Sequence, residues 1–122
     1  MKAGMNPAAS SLVVKGLGAS SGRATGLVMQ VDHVNPADSF PDGAILVART
    51  TNPSLVRHMI KASAIVTEIG GTLCHTAIVA MELGIPCVVG AANACRLLTD
   101  GLAVEVNGDE GEVVVVDQAA QG

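Results

Sequence analysis

Apolar residues along this chain fall in short runs broken by glycine, proline and asparagine, and the length and period of each run assign it to a strand or a helix. Leu12-Val13-Val14-Lys15 opens a first strand, and Gly22 to Val31 forms a second, with Arg23, Thr25 and Gln30 punctuating small and apolar residues. After the turns at Asn35-Pro36 and Pro41-Asp42-Gly43, Ala44 to Ala48 is a continuous apolar strand. Asn52-Pro53 caps a helix that runs to about Ala62, with Leu55, Val56, Met59 and Ile60 on one side and Arg57, His58 and Lys61 on the other. A strand over Ala64 to Thr67 leads to Gly70-Gly71. A helix from about Cys74 to Leu83 then stops at Gly84, with Pro86 beyond it. Residues 64 to 89 thus read as a βαβ-like unit, and a short helix over Asn93 to Leu98 follows. Leu102 to Val106 and Glu112 to Val116 flank Asn107-Gly108-Asp109-Glu110-Gly111, a hairpin signal.

Residues 1–11 and 118–122 read as tails around one compact α/β domain over residues 12–117, with no internal repeat. Gly16-Leu17-Gly18-Ala19-Ser20-Ser21-Gly22 approaches a nucleotide-binding fingerprint, but its third glycine falls one place too far and no helix follows. It is read as a glycine-rich bend between strands.

The chemistry concentrates in Gly70-Gly71-Thr72-Leu73-Cys74-His75-Thr76-Ala77. A histidine stands there where a strand gives way to a helix, whose first turn presents backbone N–H groups and the positive end of a dipole to an anion. Glycines let the chain turn and let backbone approach a phosphate. A neutral imidazole, with a free-solution pKa of about 6.5, keeps a nucleophilic nitrogen at neutral pH. His75 is therefore the candidate acceptor; a first-turn histidine bonded to a neighbouring carbonyl is the structural alternative. Glu82 reads as a solvated helix residue. Glu68 is either a surface residue or a group that orients the imidazole. His33 and His58 read as loop and solvated-helix residues without metal-ligand spacing to His75, so no metal site is expected.

Composition narrows the partners. A 49% hydrophobic content with one Phe and no Trp or Tyr gives an aliphatic core and little surface for base stacking. A net charge of −4 and a pI near 5.1 argue against nucleic-acid or anionic-membrane partners. No apolar run approaches the ~18 residues of a membrane span, and Met1 to Ser10 lacks the plan of a secretion signal, so cytoplasm is the expected compartment. Three cysteines leave one unpaired in any disulfide scheme and fit no zinc spacing. Cys87 and Cys95 read as packing residues. Cys74 precedes His75 at a helix N-terminus, where a thiolate would be stabilised, but adjacent helical residues point ~100° apart and do not easily share a proton. It is read as a small supporting group, with a thiol enzyme as the rival.

The run from Glu68 to Gly90, GluIleGlyGlyThrLeuCysHisThrAla followed by IleValAlaMetGluLeuGlyIleProCysValValGly, closely resembles the phosphohistidine signature of the mobile domain of phosphoenolpyruvate-utilising enzymes. Gly16 to Gly26, Ile45-Leu46-Val47-Ala48 with Thr50-Thr51-Asn52-Pro53, and Asp100 to Gly111 resemble further parts of that domain, so nearly the whole chain is covered. The resemblance implies a swivelling β/β/α fold. Its histidine, here His75, is transiently phosphorylated at Nε2 and shuttles the group between a nucleotide or phosphoenolpyruvate site and a second acceptor. Gly70, Gly71, Thr72, Cys74 and Thr76 would bind the phosphate or support the acceptor. The resemblance also implies partner domains, a nucleotide-grasp domain, a phosphoenolpyruvate barrel, or both, that hold Mg2+ and ATP or phosphoenolpyruvate. This chain would bind no cofactor and would not be a complete catalyst alone.

Two positions depart from the family pattern. Thr76 stands where alanine is common, and its hydroxyl could bond a phosphate oxygen. Met81 stands where arginine is common; a thioether cannot pair with phosphate or carboxylate, and Met81 is read as packing against a neighbour. The alternative function is a non-catalytic docking module of the same fold with a vestigial His75.

Overall fold

A computed structural model describes residues 12–31, 40–50, 55–71 and 74–116. The expected tails, the Asn35-Pro36 turn, His33, the Asn52-Pro53 cap, Thr72 and Asp117 lie outside the described residues. The elements run β1 (Leu12–Lys15), β2 (Leu17–Ser20), β3 (Arg23–Gln30), β4 (Ile45–Ala48), α1 (Val56–Lys61), β5 (Ala64–Thr67), α2 (His75–Leu83), β6 (Cys87–Val89), α3 (Ala94–Leu97), β7 (Ala103–Asn107) and β8 (Glu112–Val115).

The strands hydrogen-bond in the order β1-β8-β7-β3-β4-β5-β6-β2. Strand β3 belongs to two ladders. Its first half pairs antiparallel with β7, Arg23 opposite Asn107 and Leu27 opposite Ala103, while Val28 to Gln30 pair parallel with Ile45 to Val47 of β4. The parallel set β4, β5 and β6 is buried at every position, as expected of strands covered on both faces.

Alternation along those strands splits the core into two layers. Ile45, Val47, Ala64, Val66 and Val88 face an apolar cluster with Val14, Val104, Val106 and Val113 of the antiparallel strands and with Ala94 and Leu98. Leu46, Ala48, Ile65, Cys87 and Val89 face the other way, against Leu55, Met59 and Ala80 of the helices. The result is an antiparallel layer, a parallel layer and a helical layer, the β/β/α order expected of a swivelling domain.

Two expectations are corrected. The glycine-rich segment after Lys15 contains a strand, β2, which pairs antiparallel with β6, Leu17 opposite Val89, with an irregularity between Gly18 and Ser20. Its glycines reflect crowding: a Cβ at Gly18 would overlap the carbonyl of Gly108, where the β7–β8 hairpin tip crosses β2. The inward face of α1 also differs. Leu55, His58, Met59 and Ala62 are buried, a stripe with i, i+3, i+4, i+7 spacing, while Ile60 is exposed. His58 is thus a core residue rather than a solvated one, and its ring meets Phe40 edge-on at a centroid distance of 6.0 Å.

Candidate functional site

Strand β5 ends against β4 through backbone bonds that continue past the strand. The Glu68 N–H donates to the Ala48 carbonyl at 3.2 Å, and the Ile69 N–H donates to that of Arg49 at 2.9 Å. Thr67 Oγ1 donates to the Ile69 carbonyl at 3.0 Å and tightens the exit. Gly70 then takes φ +134°, a region that L side chains rarely enter, and a Cβ there would stand 3.0 Å from Cys74 Sγ. Gly71 is exposed, with no atom of the described residues beyond its chain neighbours within 4 Å of the place a Cβ would occupy, and its carbonyl accepts the Cys74 N–H at 3.1 Å.

Cys74 occupies the N-cap position of α2 in extended conformation and contributes no side-chain cap; its carbonyl accepts the Ile78 N–H at 3.1 Å. Its side chain packs against the helical-layer cluster that contains Cys87 and Val89. His75, the first residue of α2, is exposed, and the first turn carries no acidic residue. An anion at this end therefore meets the positive end of the helix dipole without a competing carboxylate in that turn. At the far end Gly84, in the left-handed region at φ 73°, donates to the Met81 carbonyl, and the Ile85 N–H reaches that of Ala80. This Schellman pattern ends the helix at its predicted residue.

The remaining expected residues divide. Gly70 and Gly71 follow the end of β5, and Cys74 and His75 begin α2, with the Cys74 N–H bonded to the Gly71 carbonyl. Thr76 is buried, on the inward side of a helix whose first residue His75 faces solvent. Thr72 lies outside the described residues. Met81, expected to pack against a neighbour, is 50% exposed, because α2 buries Thr76, Ala77 and Ala80 and turns Met81 outward. Glu82 is exposed as expected. The Glu68 carboxylate accepts the Cys95 N–H at 2.8 Å, a structural tie from the end of β5 to α3.

Two thiols are raised. Burial first, then the neighbouring Cys74, push Cys87 up to about 12, and burial followed by Glu68 lifts Cys95 against an opposing pull from Arg49. Among the described residues no group of three or more His, Cys, Asp or Glu side chains is placed to hold a metal ion, and no helix is long and apolar enough to cross a membrane.

Residues 40–111 match the family described as PEP-utilising enzyme, mobile domain. The chain is 46% identical over 102 residues to the phosphoenolpyruvate synthase of Pyrococcus furiosus, covering 84% of this chain and 12% of that protein. A probable phosphoenolpyruvate synthase of Methanothermobacter thermautotrophicus is likewise 46% identical over 102 residues, with 84% and 15% covered. The chain thus spans about one seventh or less of these relatives. Among solved structures, the Enzyme I (nEIt) protein superposes with a TM-score of 0.58 at 34% identity, over 68% of this chain and 35% of that one. The holo-form of aconitase X from Thermococcus kodakaraensis, at TM-score 0.64 and 22% identity over 85% of this chain and 98% of that one, shares the fold.

Proposed function

The chain belongs to the mobile-domain family of the PEP-utilising enzymes, and from that premise we propose that it is a phosphoryl carrier whose acceptor is His75. The observation that carries the reading is the placement of one exposed imidazole at the N-terminus of a nine-residue helix, beside the Gly70–Gly71 turn. A nucleophile there is open to an incoming donor, and the helix end favours the charge it acquires.

In the proposed first step the Nε2 lone pair of neutral His75 attacks the donor's phosphorus in line. An N–P bond forms as the donor's P–O bond breaks, and its electron pair leaves with the oxygen. In the second step an acceptor oxygen attacks the same phosphorus, the N–P bond breaks and the imidazole is restored. Gly71 and the N–H groups of the first helical turn steady the anion, with Thr72 as a further candidate. Gly70 and Cys74 fix the turn, and buried Thr76 supports it from within the helix.

Phosphoryl transfer is driven by positioning and by neutralisation of charge, commonly with Mg2+ and cationic side chains. Those groups, with ATP or phosphoenolpyruvate, are assigned to a nucleotide-grasp domain, a phosphoenolpyruvate barrel, or both, outside this stretch of chain. That two relatives are named as phosphoenolpyruvate synthases and are far longer than this chain supports such partners. Cytoplasm is the proposed compartment.

One observation favours a second reading. Met81 leaves an uncharged side chain exposed on α2, which suits a docking module that has lost its chemistry. Incubation with phosphoramidate followed by intact-mass analysis separates the two. A single phosphoryl adduct, stable in alkali, lost in acid and absent from His75→Ala, supports the carrier; an unmodified wild-type chain leaves the docking module.

A further inference from the structure

Thr67 ends β5 as a fully buried residue, and nothing in the strand itself requires its hydroxyl. It stands two residues after Ile65, whose side chain faces the helical layer, so alternation puts Thr67 on the α2 side of the sheet. A valine of the same shape meets the needs of a buried parallel strand, whereas a buried hydroxyl must find a partner. That partner is the Ile69 carbonyl at 3.0 Å, beyond the strand, so the hydroxyl acts on the exit from β5.

Both backbone groups of Ile69 are held. Its N–H donates to the Arg49 carbonyl, and its own carbonyl, on the peptide that joins it to Gly70, accepts Thr67 Oγ1. The plane of that peptide is thereby fixed before the chain leaves Gly70 at φ +134°. The Gly70 carbonyl lies against the exit of β6, 3.3 Å from where a Cβ on Gly90 would stand, and Gly90 itself takes φ +64°. The Thr67 carbonyl reaches the same exit and accepts the Ala91 N–H at 2.9 Å. One residue thus ties the ends of β5 and β6 to the glycine turn, through its hydroxyl on one side and its carbonyl on the other. The turn in turn meets the start of α2: the Gly71 carbonyl accepts the N–H of Cys74, the N-cap that precedes His75, and Cys74 Sγ packs at Gly70.

We infer that Thr67 is a positioning residue for phosphorylation of His75, its buried hydroxyl holding the Ile69–Gly70 peptide in the orientation that sets the first turn of α2. The inference rests on the carrier reading above and deepens it with a residue that acts through the Ile69 carbonyl. Without the hydroxyl that carbonyl loses its donor, and displaced orientations of the turn compete with the productive one.

The test separates the hydroxyl from the volume around it. Thr67→Val keeps the shape and removes the hydroxyl, Thr67→Ser keeps the hydroxyl and removes a methyl, and Thr67→Ala differs from Thr67→Ser by the oxygen alone. Phosphorylation of His75 by phosphoramidate is followed by intact mass, and urea midpoints are measured on the same samples. The expected result is that Thr67→Val and Thr67→Ala slow labelling about fivefold or more, while Thr67→Ser labels within about twofold of wild type. Thr67→Ser should do so even though the lost methyl lowers its urea midpoint, whereas a merely structural role would make labelling follow the midpoint. Labelling of Thr67→Val within about twofold of wild type, or equal slowing of Thr67→Ser and Thr67→Ala, overturns the positioning role and leaves the acceptor standing. If Thr67→Val does not fold, the comparison of Thr67→Ser with Thr67→Ala decides alone. Failure of phosphoramidate to label wild-type His75 instead overturns the carrier reading on which the inference rests.

Discussion

Glu68 Oε2 accepts the backbone N–H of Cys95 at 2.8 Å, joining the residue that follows β5 to the first turn of α3 across 27 positions of sequence. The same carboxylate helps to hold the Cys95 thiol above its ordinary range, second to burial, while Arg49 acts in the opposite direction. Glu68→Gln keeps an oxygen acceptor for the Cys95 N–H and removes the charge. Cys95 should therefore be alkylated faster at pH 8 in Glu68→Gln and more slowly in Arg49→Gln, each relative to wild type. Unchanged rates in both would show that burial alone sets the thiol.

Cys87 makes alkaline stability sensitive to one buried thiol. In the folded chain it is pushed up to about 12, whereas an unfolded thiol titrates near ~8.5. Between those values the unfolded chain has lost a proton that the folded chain retains. This contribution to stability is complete below about pH 8.5 and falls by up to about 1.4 kcal/mol per pH unit as pH rises towards 12. Urea midpoints at pH 8 and pH 10 should drop more for wild type than for Cys87→Val, which keeps an apolar side chain. Parallel drops would contradict the assignment.

His58 and Phe40 pack edge-on beneath α1, so truncation at either should behave as a core lesion. His58→Ala is expected to cost about 2–4 kcal/mol and Phe40→Ala about 3–5 kcal/mol by urea denaturation. Neither should alter phosphoramidate labelling of His75 under conditions where the variant stays folded. A cost for His58→Ala below about 0.5 kcal/mol, the range of an exposed site, would contradict the burial.

Two glycines at opposite ends of the acceptor unit should respond differently. Gly84→Ala places a Cβ in open space at φ 73°, so only backbone strain of about 1 kcal/mol opposes it, and labelling of His75 should be unchanged. Gly70→Ala combines φ +134° with a Cβ 3.0 Å from Cys74 Sγ, so it should lower stability further and slow labelling by displacing the turn. Equal effects of the two substitutions on the labelling rate would remove the role given to Gly70.

What could be read from the chain depended on whether a local signal matched its tertiary use. Strand β5 over Ala64–Thr67 and the end of α2 at Gly84 were legible because an apolar run and a glycine stop say the same thing locally and globally. The β7–β8 hairpin was legible for the same reason. Strand β2 was hidden because a hairpin tip distant in sequence, at Gly108, crosses it and requires glycine where a strand would otherwise show β-branched residues. Side-chain polarity points His58 outward, but helical spacing puts it in line with buried Leu55, Met59 and Ala62. Met81 is half-exposed on α2, whose buried face is formed by the small residues Thr76, Ala77 and Ala80. Glu68 lay next to the site in sequence, and its partner on α3 is a backbone N–H that no sequence motif announces.

The most direct test of the account is phosphorus and proton–nitrogen NMR of the chain after incubation with phosphoramidate, with His75→Ala as control. The account predicts one phosphoramidate resonance, coupled to Nε2 of His75 and absent from the variant. A chain that stays unphosphorylated, or one whose phosphoryl group persists in His75→Ala, would contradict it.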